Sequence, residues 1–202
     1  IYYLEKSLIN KALAILKVGL NLHCAASEIM LQLAQVYIAK GDYEKGLDWA
    51  NKTLSIEPNN QEVLLLKAEV NSYLGKHKES ISFYLEYLKG GVKEGLELIY
   101  NDMAWEFESM HDYENALKYL KLALELNPEE DSLLFEIAYF YEEIGKQEEC
   151  VNFYNKFLDS NPYSYNGWYN LGVVYNEMKL YEKAVFAFDF ALVIKDDFSS
   201  AY

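Results

Sequence analysis

The sequence predicts an all-α protein built as a stack of antiparallel helix pairs, and three observations lead to that fold class. Apolar residues recur at helical spacing, for example Leu134, Ile137, Ala138 and Tyr141. Glycine or proline follows most of these runs. The interruptions recur at a fixed interval along the 202 residues. Helices of this kind form small units that stack, because neither helix of a pair can bury its apolar face alone.

The interval is 34 residues, with a single insertion of two residues. Two ladders of mostly small residues mark it, each with successive spacings of 34, 36, 34 and 34. The first ladder consists of Ala34, Ala68, Ala104, Ala138 and Gly172. The second consists of Gly46, Ser80, Ala116, Cys150 and Ala184. The insertion therefore lies between Ser80 and Ala104, and we predict it at Gly90-Gly91.

With this period the chain resembles the tetratricopeptide repeat (TPR) family, whose pattern reads W-x2-L-G-x2-Y, then A-x3-F, then P. The last full unit carries the pattern best, at Trp168, Leu171, Gly172, Tyr175, Ala184, Phe188 and Ala191. The resemblance implies a right-handed superhelical stack of helix pairs, a TPR α-solenoid. We expect five full repeats, at 27–60, 61–96, 97–130, 131–164 and 165–198. Residues 1–26 are expected to be the end of an earlier repeat, mainly its second helix, and 199–202 the start of another.

The second repeat departs from the family pattern at two positions. Lys67 stands where the family has Leu, and Asn71 stands where it has an aromatic residue. We expect the Lys67 stem to lie on the core while its ammonium reaches solvent. Two hypotheses follow: a locally weaker helix contact, or a hinge that also includes Gly90-Gly91.

One face of each first helix is the predicted binding surface. Positions 4, 7, 8 and 11 of a repeat form the face that the family packs on the second helix. Positions 2, 5, 9 and 12 share a face pointing largely the other way, and the resemblance implies that it lines the concave wall where partners bind. The candidate peptide-binding residues are Glu62, Glu69, Asn101, Trp105, Glu108, Phe135, Tyr139, Glu142, Tyr169 and Asn176. In the first full repeat the same positions hold Glu28, Leu31, Gln35 and Ile38.

Acidic residues are concentrated on the predicted first helices. Positions 1 to 13 of the five repeats contain twelve acidic residues and one lysine, in a chain of net charge -14. A surface of one sign steers ligands of the opposite sign, and aromatic residues anchor partners. The sequence thus predicts a scaffold that binds a protein or peptide with a Lys/Arg-rich, partly apolar segment. The alternative is that the acids are only solvated and the aromatic residues only contact neighbouring helices.

The composition argues against other classes of function. The net charge of -14 and the absence of arginine disfavour nucleic-acid binding. No run of 18 apolar residues occurs, so the sequence does not predict membrane insertion. His23, His77 and His111 lack metal-ligand spacing, and no phosphate loop or nucleophile motif occurs. We therefore expect no catalytic residue, cofactor or metal, and a protein that is not an enzyme. Without arginine, the TPR subclass that grips acidic chaperone C-termini through a Lys/Arg/Asn clamp is also disfavoured.

The two cysteines bear on the cellular compartment. Cys24 and Cys150 are separated by about four repeat steps of roughly 8–10 Å each, too far for a disulfide. We expect unpaired thiols, with Cys150 buried where helices meet, which is compatible with a cytoplasmic location. Two functional alternatives stay open. One is a structural element that self-associates, for example through the apolar residues 1–4, and the other is a regulatory module of a longer multidomain chain.

Overall fold

The computed structural model of the protein describes residues 2–22 and 26–199, with side chains at 8–22 and 26–195. This described part contains eleven α-helices and no β-strand, so the predicted all-α class is confirmed. The helices are α1 (Tyr2–Asn21), α2 (Ala26–Ala39), α3 (Tyr43–Ile56), α4 (Gln61–Tyr73), α5 (His77–Lys89), α6 (Leu96–Ser109), α7 (Tyr113–Leu126), α8 (Asp131–Glu143), α9 (Gln147–Ser160), α10 (Tyr165–Glu177) and α11 (Tyr181–Ser199). None of them is both long and apolar enough to cross a membrane.

Helices α2 to α11 form five helix pairs, each joined by a three-residue turn. The middle residue of every such turn has a positive φ, which is the left-handed conformation that ends a helix and favours glycine. Gly41, Gly75 and Gly145 hold this position in three turns, with φ of 83°, 70° and 68°. His111 and Lys179 hold it in the other two, with φ of 58° and 61°. The five turns therefore share one backbone requirement that is repeated along the chain.

The connections between pairs locate the two-residue insertion. Residues 57–60, 127–130 and 161–164 each give a four-residue connection, whereas residues 90–95 give a six-residue one. The longer connection begins at Gly90, where the sequence predicted the insertion, and Gly91 and Gly95 have φ of 75° and 67°. Two of the four-residue connections end in a side chain that caps the next helix. Asn60 Oδ1 accepts from the Val63 amide at 3.1 Å, and Ser164 Oγ accepts from the Gly167 amide at 3.1 Å.

The chain divides into two compact units at this connection, one ending at Glu94 and one beginning at Gly95. The first unit contains α1 to α5 and the second contains α6 to α11. Each has a core where the ladders of small residues meet. The second ladder is buried at every step, through Gly46, Ser80, Ala116, Cys150 and Ala184. These positions are small because helices cross there: a Cβ at Gly46 would lie 2.5 Å from Ile38 Cγ1.

In the first unit, the prediction that the Lys67 ammonium reaches solvent is wrong. The residue is only 9% exposed, and its ammonium is held at the edge of the core by the exposed Asn51 side chain instead of extending into solvent. Lys67 Nζ donates to Asn51 Oδ1 at 2.7 Å and lies 4.0 Å from the centre of the Phe83 ring. Asn71, the other departure from the family pattern, is buried as well, and its Nδ2 donates to the Lys67 carbonyl at 2.7 Å. Both polar side chains thus have hydrogen-bond partners, Lys67 on the preceding helix α3 and Asn71 within its own helix. The weaker helix contact and the hinge stay hypotheses.

The structure describes the residues of some further predictions and not those of others. α11 includes Ser199, the residue at which we expected another repeat to begin. Cys150 is a free, buried thiol as predicted, while Cys24 lies outside the described residues. The side chains of residues 1–4, proposed as an apolar end, also lie outside the described part.

Candidate functional site

The second unit carries eight of the ten predicted site residues, all on first helices. α6 holds Asn101, Trp105 and Glu108; α8 holds Phe135, Tyr139 and Glu142; α10 holds Tyr169 and Asn176. Seven of the eight are exposed, and Glu108 is half-buried. We call these eight residues the first-helix face of the second unit. The side chains at the predicted positions of these three helices therefore do not point into the core.

The four aromatic side chains of this face are exposed by 51%, 47%, 44% and 40% at Trp105, Phe135, Tyr139 and Tyr169 respectively. A large aromatic surface left open to water is a common feature of binding sites. Each first helix of the second unit contributes at least one such ring. The face therefore offers several apolar contact points in one unit.

Neighbouring rings hold two of these side chains in place. The Tyr139 ring lies 6.3 Å from Tyr113 in an edge-to-face arrangement and 5.3 Å from Phe140. The Tyr169 ring stacks on Tyr165 at 6.1 Å. Because contacts of this geometry are favourable, the rings are oriented before any partner arrives. Less entropy is then lost on binding than with free side chains.

Acidic side chains lie close together near this face, and their repulsion helps to raise the pKa of two of them. Burial, followed by repulsion from Glu108 and Glu130, raises the pKa of Glu136 above its ordinary value. Burial and repulsion from Glu142 likewise raise the pKa of Glu177. Within the described part of the chain, no lysine nitrogen lies within 4 Å of Glu108 or Glu142. These carboxylates lack an internal countercharge, so a cationic group at this face would lower the repulsion among them.

Sequence reasoning missed three residues of this surface. Glu136 and Glu177 are at positions 6 and 13 of their repeats, one step from the selected positions, and the excess of acid on first helices could have included them. Tyr113 begins the second helix α7, and only the folded structure brings its ring against Tyr139. No periodicity within the first helices could have indicated that contact.

The first unit carries the other two predicted residues, Glu62 and Glu69, which are both exposed on α4. Gln35 Nε2 donates to Glu62 Oε1 at 2.8 Å, so Glu62 already has a neutral partner. The predicted face does not extend to Leu31, which is 7% exposed and packs with Ala34, Ala50 and Val63. Leu31 is buried because residues of α3 and α4 lie against that side of α2. The role of Glu62 and Glu69 stays a prediction.

The described residues contain no group of three potential metal ligands. Cys150 is 1% exposed, and burial raises the pKa of its thiol to about 12, so it is an unreactive core residue at neutral pH. His111 Nδ1 lies 3.0 Å from the Tyr113 hydroxyl in an exposed turn. The fold and this surface together define a helical-repeat protein with an aromatic and acidic face.

Comparison with known protein families agrees with that class. The tetratricopeptide repeat family matches residues 27–60, 98–130 and 131–164, and a second tetratricopeptide repeat profile matches residues 153–186. These ranges include most of the chain. The chain belongs to the tetratricopeptide repeat family.

Solved structures show the same fold. The crystal structure of YrrB, a TPR protein with an unusual peptide-binding site, is 19% identical, with a TM-score of 0.60 over 90% of this chain and 93% of that one. A crystal structure of MamA is 19% identical, with a TM-score of 0.57 over 86% of this chain and 94% of that one. MamA from Desulfovibrio magneticus is 15% identical, with a TM-score of 0.57 over 86% and 97%. At these identities the likeness shows the fold alone.

A human protein, O-mannosyl-transferase TMTC1, is 23% identical over 178 residues, which are 85% of this chain. The chain spans only 20% of the length of that protein. The match therefore relates this chain to one part of a much longer relative.

TPR repeats form scaffolds for protein interaction, and that is the general role the family supports here.

Proposed function

We propose that the first-helix face of the second unit binds a protein or peptide segment that is rich in Lys or Arg and partly apolar. The observation that carries this proposal is the exposure of four aromatic side chains, by 40% to 51%, among carboxylates without an internal countercharge. Apolar side chains of the partner would pack on Trp105, Phe135, Tyr139 and Tyr169. Its cationic groups would lie near Glu108 and Glu142, with further contacts from Asn101 and Asn176.

Each part of this face has a distinct task in the proposed complex. Aromatic side chains bury large areas at small cost in conformational entropy, and they dominate the affinity of many interfaces. Carboxylates at the rim contribute more to selectivity and association rate than to affinity. A partner of the opposite sign would be attracted and an acidic one repelled. No chemical step is part of this function, and we propose that the chain is a non-enzymatic scaffold without cofactor or metal.

A paired pull-down from a lysate of the source organism tests the proposal. One bait is the unchanged chain, and the other carries Trp105→Ala, Phe135→Ala and Tyr139→Ala. A third bait carries Tyr163→Ala, Tyr181→Ala and Phe186→Ala, which removes aromatic residues that are 80%, 61% and 59% exposed elsewhere in the unit. All three are first compared in helicity and melting temperature.

Mass spectrometry then identifies the retained proteins. A partner held by the unchanged and control baits, but lost from the first variant, would support binding at the first-helix face. Equal recovery by all three baits would rule out that face as the site. We also propose a cytoplasmic location, supported by the free Cys150 thiol, and fractionation of cells that express a tagged chain would test it.

A second candidate function is self-association, which one feature of α11 favours. This helix exposes apolar residues around much of its surface, at Val185, Phe186, Phe190, Leu192 and Val193, by 43% to 60%. Sedimentation over a concentration series would detect it. A monomer throughout would contradict self-association and leave the binding proposal intact. A regulatory module within a longer chain is the third possibility, in line with the partial match to the transferase.

A further inference from the structure

A second surface of the same unit has the opposite chemistry. A groove of about 570 Å³ lies between α7 and α9 and the turns that follow them. Its lining comes entirely from second helices and turns, so it shares no residue with the first-helix face. The lining includes Lys121, Leu124, Phe153, Lys156 and Phe157. The volume falls within the range of pockets that bind small ligands or a few residues of a peptide.

Lys121 lines this groove with a half-buried side chain, and both the hydrogen-bond partner of its ammonium, Tyr141, and the acid that attracts it, Glu149, lie outside the groove lining. Its Nζ donates to the Tyr141 hydroxyl at 2.5 Å and lies 4.5 Å from the Tyr141 ring centre and 5.4 Å from that of Phe153. An ammonium has three donors. Within the described residues no carboxylate oxygen lies within 4 Å of this nitrogen, and burial lowers its pKa. A half-buried ammonium with donors to spare is stabilised by an anionic ligand.

The walls of the groove are apolar beside this cation. The Phe153 and Phe157 rings are stacked with centroids 6.4 Å apart, and Leu124 and Pro128 complete the apolar lining. Lys156, exposed on α9, adds a second cation, while Glu125 contributes one acid. Two lysines against one acid give this groove a positive balance in a chain of net charge -14. The groove thus combines cationic groups with aromatic surface in one cavity.

We propose that this groove binds a short acidic peptide segment in which a carboxylate lies next to an aromatic or aliphatic side chain. The carboxylate would accept from Lys121, with Lys156 near a second acid of the peptide. The neighbouring apolar side chain would pack on Phe153 and Phe157. Charge complementarity selects this partner, since a basic segment would add a like charge beside a half-buried ammonium. The inference is independent of the proposed function, because it uses other residues and a ligand of opposite charge.

Fluorescence anisotropy with a labelled peptide, acetyl-Asp-Glu-Phe-Asp-Glu-Leu-amide, tests the proposal. Its counterpart with Asn and Gln in place of the acids is the control ligand. We expect the acidic peptide to bind at least about tenfold more tightly than the amide form. Lys121→Met should weaken binding by about tenfold, and Lys156→Met by about threefold. Lys118→Met, which removes an exposed lysine of the same helix outside the groove, should change affinity by less than about twofold.

Several results would overturn the proposal. These are failure of the unchanged chain to bind the acidic peptide below about 1 mM, equal affinity for the acidic and amide peptides, or an equal effect of Lys118→Met and Lys121→Met. Because Lys121→Met also removes a hydrogen bond, Lys156→Met at an exposed site provides a variant that keeps the fold. Phenylacetate is tested as a competitor, and displacement at the same concentration as the peptide would assign the groove to small aromatic carboxylates instead. Retained affinity in the Trp105→Ala, Phe135→Ala, Tyr139→Ala variant would separate this groove from the first-helix face.

Discussion

The ammonium nitrogen of Lys67 lies 4.0 Å from the centre of the Phe83 ring and donates to Asn51 Oδ1 at 2.7 Å. This arrangement places a cation where the family pattern has a leucine. Burial is the main cause of the lowered pKa of Lys67, and attraction to Glu86 opposes it only in part. The fold therefore disfavours the charged form of this side chain relative to the unfolded chain.

Lys67→Leu should stabilise the protein at neutral pH, by up to about 1 kcal/mol. A lysine with a lowered folded pKa reduces stability while it is charged, and this penalty fades as pH rises through the folded pKa towards the unfolded value. The advantage of leucine should therefore shrink towards about pH 10. Urea denaturation at several pH values measures the difference in unfolding free energy between the variant and the unchanged chain, with Lys118→Leu as the control. Destabilisation by Lys67→Leu would mean that the contacts to Asn51 and Phe83 outweigh the burial cost.

The leucine ladder of the second helices gives a prediction with an internal control. Leu124, Leu158 and Leu192 are spaced by 34 residues and are 3%, 5% and 55% exposed. Leu158 packs against Gly167 of the next first helix, where an added Cβ would lie 2.9 Å from Leu158 Cδ2. Leu158→Ala should cost about 2–4 kcal/mol of unfolding free energy, and Leu192→Ala less than about 1 kcal/mol. Equal losses of unfolding free energy in the two variants would contradict the expectation that burial determines how much each leucine contributes to stability.

The turn residues with positive φ give a third prediction. Lys179 has a φ of 61° at the position that Gly145 holds in the preceding repeat. Lys179→Gly should stabilise the chain by about 1 kcal/mol, because glycine adopts this conformation without the steric cost of a Cβ. Gly145→Ala should destabilise it by a similar amount. Thermal melting followed by circular dichroism measures both, and a loss of stability in Lys179→Gly would contradict the expected strain.

Glu136 gives a pH-dependent prediction. Burial and the neighbouring acids Glu108 and Glu130 raise its pKa, so the folded state binds the proton more tightly than the unfolded chain does. The contribution of the Glu136 carboxyl to the free energy of unfolding is thus greatest below the unfolded pKa of about 4.5, and it falls as pH rises through the folded pKa. Glu136 is exposed, and solvent screens these interactions, so Glu136→Gln should raise the melting temperature at pH 7 by no more than about 1 °C and leave it unchanged near pH 4. Glu129→Gln, in an exposed turn, should show no such pH dependence.

Most of the fold could be predicted from the sequence because its determinants are local and repeated. Glycine and proline mark the turns, and the small residues of the second ladder are all buried at helix crossings. The position of the two-residue insertion also followed from spacing alone. Lys67 could not be placed this way, because its environment depends on Asn51 and Phe83, which belong to two other helices.

The candidate surface was only partly accessible from the sequence. Helical periodicity selected exposed residues on α6, α8 and α10, but it failed for Leu31, which neighbouring helices cover. The edge-to-face contact of Tyr113 with Tyr139 joins residues 26 positions apart on different helices. The groove beside Lys121 is likewise assembled from α7 and α9 and has no signature in either helix alone.

The central claim is that the first-helix face of the second unit attracts a cationic, partly apolar segment. Its most direct test is the affinity of a labelled peptide, acetyl-Lys-Leu-Lys-Trp-Lys-Leu-amide, between about 50 and 300 mM NaCl. The measurement is repeated for Glu108→Gln with Glu142→Gln and, as a control, for Glu125→Gln with Glu129→Gln. We predict that affinity falls about tenfold over this range for the unchanged chain and the control, and that the first variant binds weakly with little salt dependence. An affinity that is independent of salt, or equal in both variants, would contradict the claim.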